Sequence, residues 1–215
     1  MSMRSPTVQE SDLSTRTKIR EAALALFGAQ GFGVSIRTIA DAADCSAGLV
    51  IHHFGNKDGL REAVDQSVID TLLQPMVGIP SELSAEELSR MLGDVFSHVI
   101  AVSPVLRQYI RRSLLEGTPA SQSIFDELVA LIHKILDHLH RVGGLSESSD
   151  STWRPYQLLF VTLGTLLLEP VIQSHFEQSI YDAHLLSDRT AANYELLFHG
   201  MFRTSAKATS EGAEP

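Results

Sequence analysis

The chain has 215 residues, 44% of them hydrophobic and 20% charged, with a formal net charge of -9; this make-up is that of an ordinary globular protein with room for one large domain or a small one joined to a larger one. A single cysteine, Cys45, excludes an internal disulfide and fits a reducing cytosol, so a cytoplasmic location is expected. The acidity argues against nucleic-acid binding only until it is divided: residues 1–60 carry six Lys/Arg and six Asp/Glu, so the whole excess falls in residues 61–215 and an N-terminal face can still present local positive charge.

Residues 1–13 are polar, contain Pro6 and show no apolar period, which predicts a flexible arm, and they are too poor in apolar groups for a secretory signal. Ser14 to Gln30 reads as the first helix, with Ile19, Ala22, Ala23, Leu26 and Phe27 on one stripe and Gly31 placed to end it. Arg16, Lys18 and Arg20 lie on its open side, where phosphate contact and a plain solvated face are equally good readings. Ser35 can cap a second helix in which Ile36, Ile39, Ala40 and Ala43 recur at helical spacing. Asp44 and Cys45 break that pattern, and Ser46 offers a cap for a third helix carrying Leu49, Val50 and Phe54. Helices of about seven residues do not persist alone in water, so neighbours must pin them. Two pinned helices joined by a turn of about four residues form a helix-turn-helix, whose second helix fits the DNA major groove. Asn56-Lys57 begins a fourth helix with Leu60, Ala63, Val64, Ser67, Val68 and Leu72 on one face, ended by Pro75, Gly78 and Pro80. One end of this helix bears Lys57 and the other enters the acidic body, which makes it a natural mechanical link.

The body reads as helical throughout. Ser84 and Glu87 form a capping box ahead of a stripe of Leu88, Met91, Leu92, Val95, Phe96, Val99 and Ile100. Pro104 starts a helix to Glu116, and Pro119 opens a longer one with Ile124, Phe125, Leu128, Leu131, Ile132, Ile135 and Leu139 inward, ended by Gly143-Gly144. Residues 145–152 form a polar loop, and the helices at 155–176 and 186–202 follow. Leu158 to Leu168 is the most apolar run, short of the roughly 20 residues that span a bilayer, so a buried helix and no membrane partner are expected. A helix without a wet face needs cover on every side, and the economical solution is a homodimer in which the last two helices of each chain form a four-helix interface. Residues 204–215 read as a disordered tail.

Thr17-Lys18-Ile19, Ala23, Leu26-Phe27, Gly31-Phe32, Ile39-Ala40, Ala43, Ser46, Gly48, His53-Phe54, Lys57 and Leu60 together resemble the N-terminal domain of the tetracycline-repressor (TetR) family, over residues 15–65. The resemblance implies a dimer that binds operator DNA and carries a divergent ligand domain. Where the family usually has an aromatic two places before its His-Phe pair, this chain has Ile51, which can only pack or touch a thymine methyl, leaving His52 as the polar contact. The backbone amides at Ser46, Ala47 and Gly48 can bind a phosphate with the helix dipole. Arg37 and Thr38 can reach the DNA backbone, or for Arg37 a guanine edge. Leu49, His52 and His53 are read as facing the groove, with a structural role against a neighbouring helix as the second reading of His53. Lys57 resembles the family's phosphate-binding lysine.

No glycine-rich phosphate loop, nucleophile elbow or zinc-type cysteine cluster is present, so neither an enzyme nor a cofactor is expected. His133, Asp137 and His140 share a helical face at a spacing that can present metal ligands, but a solvated polar face is the preferred reading and no metal is assigned. Glu169 either caps the chain before Pro170 or faces a pocket. A pocket in the body would be lined by Met91, Phe96, Tyr109, Phe125, Leu128 and Phe160, with His98 and Arg112 as polar contacts, although core packing explains these residues equally well. The expected architecture is all-α: a three-helix helix-turn-helix DNA-binding domain at 14–60 and a helical ligand-binding and dimerisation domain at 61–203, with about nine helices in all. The expected function is a ligand-responsive transcriptional regulator, a repressor that binds a palindromic operator in double-stranded DNA as a dimer and is released by a mostly apolar small-molecule effector. The alternative is a constitutive helix-turn-helix binder whose body only dimerises.

Overall fold

The computed structural model describes residues 8–74, 83–84, 87–88, 91, 101, 103–117, 119–143, 145 and 152–199. Among these there are eight α-helices and no strand: α1 (Val8–Gln30), α2 (Ile36–Ala42), α3 (Ala47–Phe54), α4 (Lys57–Leu73), α5 (Pro104–Glu116), α6 (Pro119–Arg141), α7 (Arg154–Ile172) and α8 (Ala183–His199), with a 3-10 turn at Gln173–His175. The expected all-helical architecture is therefore present. The stripe at Leu92–Ile100, the stop at Pro75–Pro80, most of the loop at 145–152 and the tail at 204–215 lie outside the described residues.

The first helix starts earlier than Ser14, at Val8, and takes in part of the expected arm. Residues 8–13 hold no proline or glycine to stop a helix. An apolar face is not needed for this extension, and Leu13 is accordingly exposed. Further along, Ile19, Ala23 and Phe27 of α1 are fully buried together with Ile39 of α2, Val50 of α3, and Leu60 and Val64 of α4. This shared core holds α2 and α3, which are too short to stand alone.

That core does not stop at the edge of the head. Leu106, Tyr109 and Ile110 of α5, Ile124 and Leu128 of α6, and Leu159, Leu163 and Leu166 of α7 belong to the same cluster. The most extensive packing of α1 is against α5. Gly28 makes it possible: a β-carbon there would lie 3.1 Å from the Tyr109 amide nitrogen, so a larger residue would push the helices apart. The Tyr109 ring meets Phe32 edge-on at 5.7 Å, and its hydroxyl donates to Asp65 Oδ1 of α4 at 2.6 Å. Arg61 flanks this pair, its guanidinium 3.4 Å from the Phe32 ring centroid and its Nε 3.8 Å from Asp65 Oδ2. Arg112 adds a hydrogen bond from Nε to the Gly28 carbonyl at 3.1 Å. The joint between head and body thus includes α1 against α5 as well as the continuous α4.

α7 departs from the expectation of a helix buried all round. Only Pro155, Leu159, Leu163 and Leu166 are buried, whereas Phe160, Leu168 and Val171 are 61%, 54% and 65% exposed. Its inner face packs on α6, with α5 alongside, and no second layer of this chain covers the outer face among the described residues. The helix and the 3-10 turn together make 22 residues, longer than the apolar run itself and long and apolar enough by composition alone to cross a bilayer.

Two outcomes follow from the joint. Tyr109→Phe leaves the buried Asp65 carboxylate without its donor, so it should cost about 1–3 kcal/mol and lower the melting temperature by several degrees in a circular-dichroism melt. Burial also pushes the Asp65 carboxyl up from its ordinary value, against the opposing effects of Tyr109 and Arg61. The folded chain therefore holds that proton more tightly than the unfolded chain, and this contribution to stability is full at low pH and lost as pH rises from the ordinary carboxylate range through the raised value. Asp65→Asn should flatten that part of the stability–pH profile.

Candidate nucleic-acid interface

The reading surface is built from caps. The Ser35 hydroxyl accepts from the Thr38 amide at 3.1 Å and lies 2.8 Å from the Thr38 hydroxyl. Ser46 accepts from the Leu49 amide at 3.2 Å, and Asn56 Oδ1 from the Gly59 amide at 2.8 Å. The Ser35 and Ser46 caps foreseen from the sequence are in place, Asn56 adds a third, and each satisfies a donor that the helix itself leaves open. Between α2 and α3, Asp44 adopts the left-handed region at φ 53, and the Cys45 amide bonds the Ala40 carbonyl at 3.0 Å. Burial, then the neighbouring Asp44, push the Cys45 thiol up, so it is a turn residue with little thiolate character.

Most of the expected DNA-facing residues come together on this surface. Arg37, Thr38, Ser46, Ala47, Gly48 and His52 are exposed, and Leu49 and Lys57 are half-buried beside them. Ala47 and Gly48 form the exposed tip of α3, and a β-carbon on Gly48 would meet nothing closer than the Ser46 hydroxyl at 3.8 Å. Ile51 is 42% exposed, so the position where the family carries an aromatic is a surface position here as well. His53 is the exception. Its side chain is 5% exposed and its Nε2 lies 3.5 Å from Asp12 Oδ1 of α1, which corrects its assignment to the groove in favour of the second, structural reading. The i, i+3 spacing from Val50, which is buried, was the signal that could have found this. Arg16, for which two readings were open, stacks over the Phe54 ring at 5.3 Å.

The expected pocket residues do not converge in the same way. Phe96 and His98 lie outside the described residues. Met91 packs on a separate small cluster of Leu88, Ile135 and Leu139, near the Ser84–Glu87 capping box, which forms as expected. Phe160 points to the exterior, and Arg112 serves the joint with α1, so neither lines an interior pocket with the others. Tyr109 is fully buried and committed to Asp65, which makes it a joint residue; burial and Asp65 together hold its hydroxyl protonated far above the usual phenol range. Leu128 is buried, and Phe125 is half-buried and stacked on Tyr156 at 6.4 Å. His133, Asp137 and His140 all lie exposed on α6, and no group of three His, Cys, Asp or Glu side chains could hold a metal among the described residues. Glu169, left open between a cap and a pocket, pairs with Arg107 and Arg111 of α5. Those two arginines were missed: on an amphipathic helix they read as ordinary polar-face residues.

The geometry of two capped short helices on a three-helix support is matched by known proteins. Residues 19–64 match the family described as bacterial regulatory proteins, tetR family, and residues 102–203 match the tetracyclin repressor-like C-terminal domain. The chain belongs to the TetR family. The HTH-type transcriptional regulatory protein RaaS of Mycobacterium tuberculosis is 32% identical over 161 residues, covering 75% of this chain and 74% of that protein. Among solved structures, the transcriptional regulator FadR from Bacillus subtilis in complex with stearoyl-CoA has a TM-score of 0.70 at 15% identity, covering 86% of this chain and 99% of that one. FadR from Thermus thermophilus in complex with lauroyl-CoA has a TM-score of 0.58 at 23% identity, covering 90% and 98%. As a TetR-family member the chain is a DNA-binding transcriptional regulator and not an enzyme, and α2–α3 is its helix-turn-helix.

The Ser46 cap gives this surface a direct test. Ser46→Ala strips the acceptor from the Leu49 amide and should cost about 1 kcal/mol of stability, read as a fall of roughly 2–4 °C in melting temperature.

Proposed function

We propose that this TetR-family regulator is a repressor that binds a palindromic operator as a homodimer and is released when a mostly apolar small molecule occupies its body. The observation that carries the reading is the joint: Tyr109 of α5 is bonded to α4 and its backbone lies against Gly28 of α1, so a displacement of α5 by a ligand reaches the head through packed atoms. Two reading helices, one per chain, would sit about 34–36 Å apart or a multiple of it, and a ligand-favoured spacing that the DNA cannot match would shift the population to the free state.

The homodimer is proposed through α7 and α8. Phe160, Leu168 and Val171 on α7 and Leu196 and Leu197 on α8 are large apolar side chains left exposed in one chain, and a four-helix interface would cover them. Arg37, Thr38, Ser46, Ala47, Gly48, Leu49, His52 and Lys57 are proposed as the DNA contacts, His52 and Leu49 at base edges and the others at phosphates, with Arg37 able to serve either. The apolar character of the ligand is supported by the buried residues of α5, α6 and α7, and by the acyl-CoA molecules bound in the Bacillus and Thermus FadR structures.

Three outcomes test the reading. Binding to fragments from the gene's own upstream region should show a steep negative salt slope that Lys57→Ala reduces by about one. Gly48→Ala meets only the Ser46 hydroxyl, at an ordinary contact distance of 3.8 Å, and should not lower the melting temperature, yet should weaken operator binding because the backbone can no longer approach as closely. Titration with lauroyl-CoA or stearoyl-CoA should lower operator affinity as the body saturates; ligand binding with unchanged operator affinity would point to a constitutive binder.

A further inference from the structure

His53 is held inside the head at the far end of the reading helix, although its ring carries a polar atom without a hydrogen bond. Its side chain is 5% exposed, and Nε2 is buried with no hydrogen-bond partner among the described residues. Asp12 of α1 brings Oδ1 to 3.5 Å from that nitrogen, within ion-pair reach, from a side chain that is itself 59% exposed. Arg16, one turn further along α1, lies with its guanidinium 5.3 Å from the ring centroid of Phe54, and the Phe54 and His53 rings meet edge-on at 6.1 Å. Residues four apart share a helix face. One face of α1 therefore reaches the last two residues of α3, with an anion for His53 and a cation for Phe54.

The rest of α3 explains why a hold is useful there. Ser46 fixes the start of the helix and Val50 its inner side, and both lie before the C-terminal turn. The chain then leaves through Gly55 at φ 76, a residue type that resists a change of direction less than any other. Helices of this length take their orientation from their contacts rather than from their own hydrogen bonds. Asp12 and Arg16 also precede residue 19, where the family match begins, so that match assigns neither of them a role.

We propose that Asp12 is a positioning residue for DNA binding. Its carboxylate is the acceptor that His53 Nε2 lacks elsewhere and, with Arg16 against Phe54, it keeps the C-terminal turn of α3 against α1. A proton on Nε2 is all the pairing needs, and neutral and charged imidazole can both supply one. Leu49 and His52 then meet the groove in one orientation, so the inference rests on the reading that α3 presents these two residues to DNA. The sign of the effect sets it apart from simple electrostatics. A carboxylate beside the reading helix repels phosphate, so losing its charge alone would tighten binding to all DNA alike.

Fluorescence anisotropy of the full chain at fixed salt tests it, with the upstream fragment that binds tightest as operator and a scrambled fragment of equal length. Asp12→Ala should lower the ratio of operator to scrambled affinity by about threefold or more. Asp12→Asn loses the same charge but keeps an oxygen for Nε2, so its ratio should stay at least about twice that of Asp12→Ala. Both substitutions fall on an exposed side chain and should melt within about 2 °C of the wild type. An unchanged ratio in Asp12→Ala, equal ratios in the two variants, or a loss that comes with a large fall in melting temperature would overturn the positioning role. His52→Ala checks the reading beneath it. If His52→Ala lowers the ratio and Asp12→Ala does not, only the positioning role fails; if His52→Ala leaves the ratio unchanged, the placement of α3 in the groove fails and the positioning role with it.

Discussion

The hydrogen bond from the Tyr109 hydroxyl to Asp65 is the point on which the relation between head and body depends. It lies where three helices with different duties meet: α1 supports the reading surface, α4 begins with Lys57 at that surface, and α5 belongs to the body. A buried carboxylate is tolerated only where donors and cations compensate it, and Tyr109 and Arg61 do so from different elements. Arg61 in turn covers Phe32, which also meets Phe27 at 5.5 Å and the Tyr109 ring. The polar pair therefore fixes the register of α5 against α4 in a way that apolar packing alone would leave looser, while Gly28 sets how closely α5 approaches α1. A body helix cannot slide here without disturbing a buried charge.

The reading surface follows a different logic. Helices of seven and eight residues have too few internal bonds to hold themselves, so each is fixed from below by Ile39 or Val50 and at its start by a serine. Packing and capping together use the inner side and the N-terminus of each helix, which leaves the outer side free of structural duty. Arg37, His52, Ala47 and Gly48 stand on that outer side. His53 shows the rule from the other direction: one residue further round, its ring is drawn against α1 and Asp12.

This division explains what was legible in the sequence. The head was readable almost residue by residue, because caps and periodicity are local signals: Ser35, Ser46 and the Ser84–Glu87 box all behave as their spacing implies. The start of α1 was misplaced because its first turns carry no apolar stripe to betray a helix. In the body, helix existence was legible but partnership was not. Tyr109, Phe125 and Phe160 look alike as aromatics on amphipathic segments, yet one is bonded to Asp65, one is stacked on Tyr156 and one is 61% exposed. Arg107 and Arg111 gave no signal at all, since their partner Glu169 lies about sixty positions away and pairing over that distance is decided by tertiary packing.

The distribution of charge ties these parts together. Among the described residues the acidic side chains of the body are mostly exposed, whereas Arg107 and Arg111 are drawn inward to Glu169. Both arginines sit on α5, the helix that also carries Tyr109. Arg107, Tyr109 and Arg111 follow one another at intervals of two along α5, so the charged cluster and the joint to the head are neighbours on one rigid rod. A helix moves as a unit because its hydrogen bonds resist bending far more than its side-chain contacts resist sliding. A shift of α5 at Glu169 is therefore carried to Asp65 and Gly28, which is the route that the proposed ligand response would take.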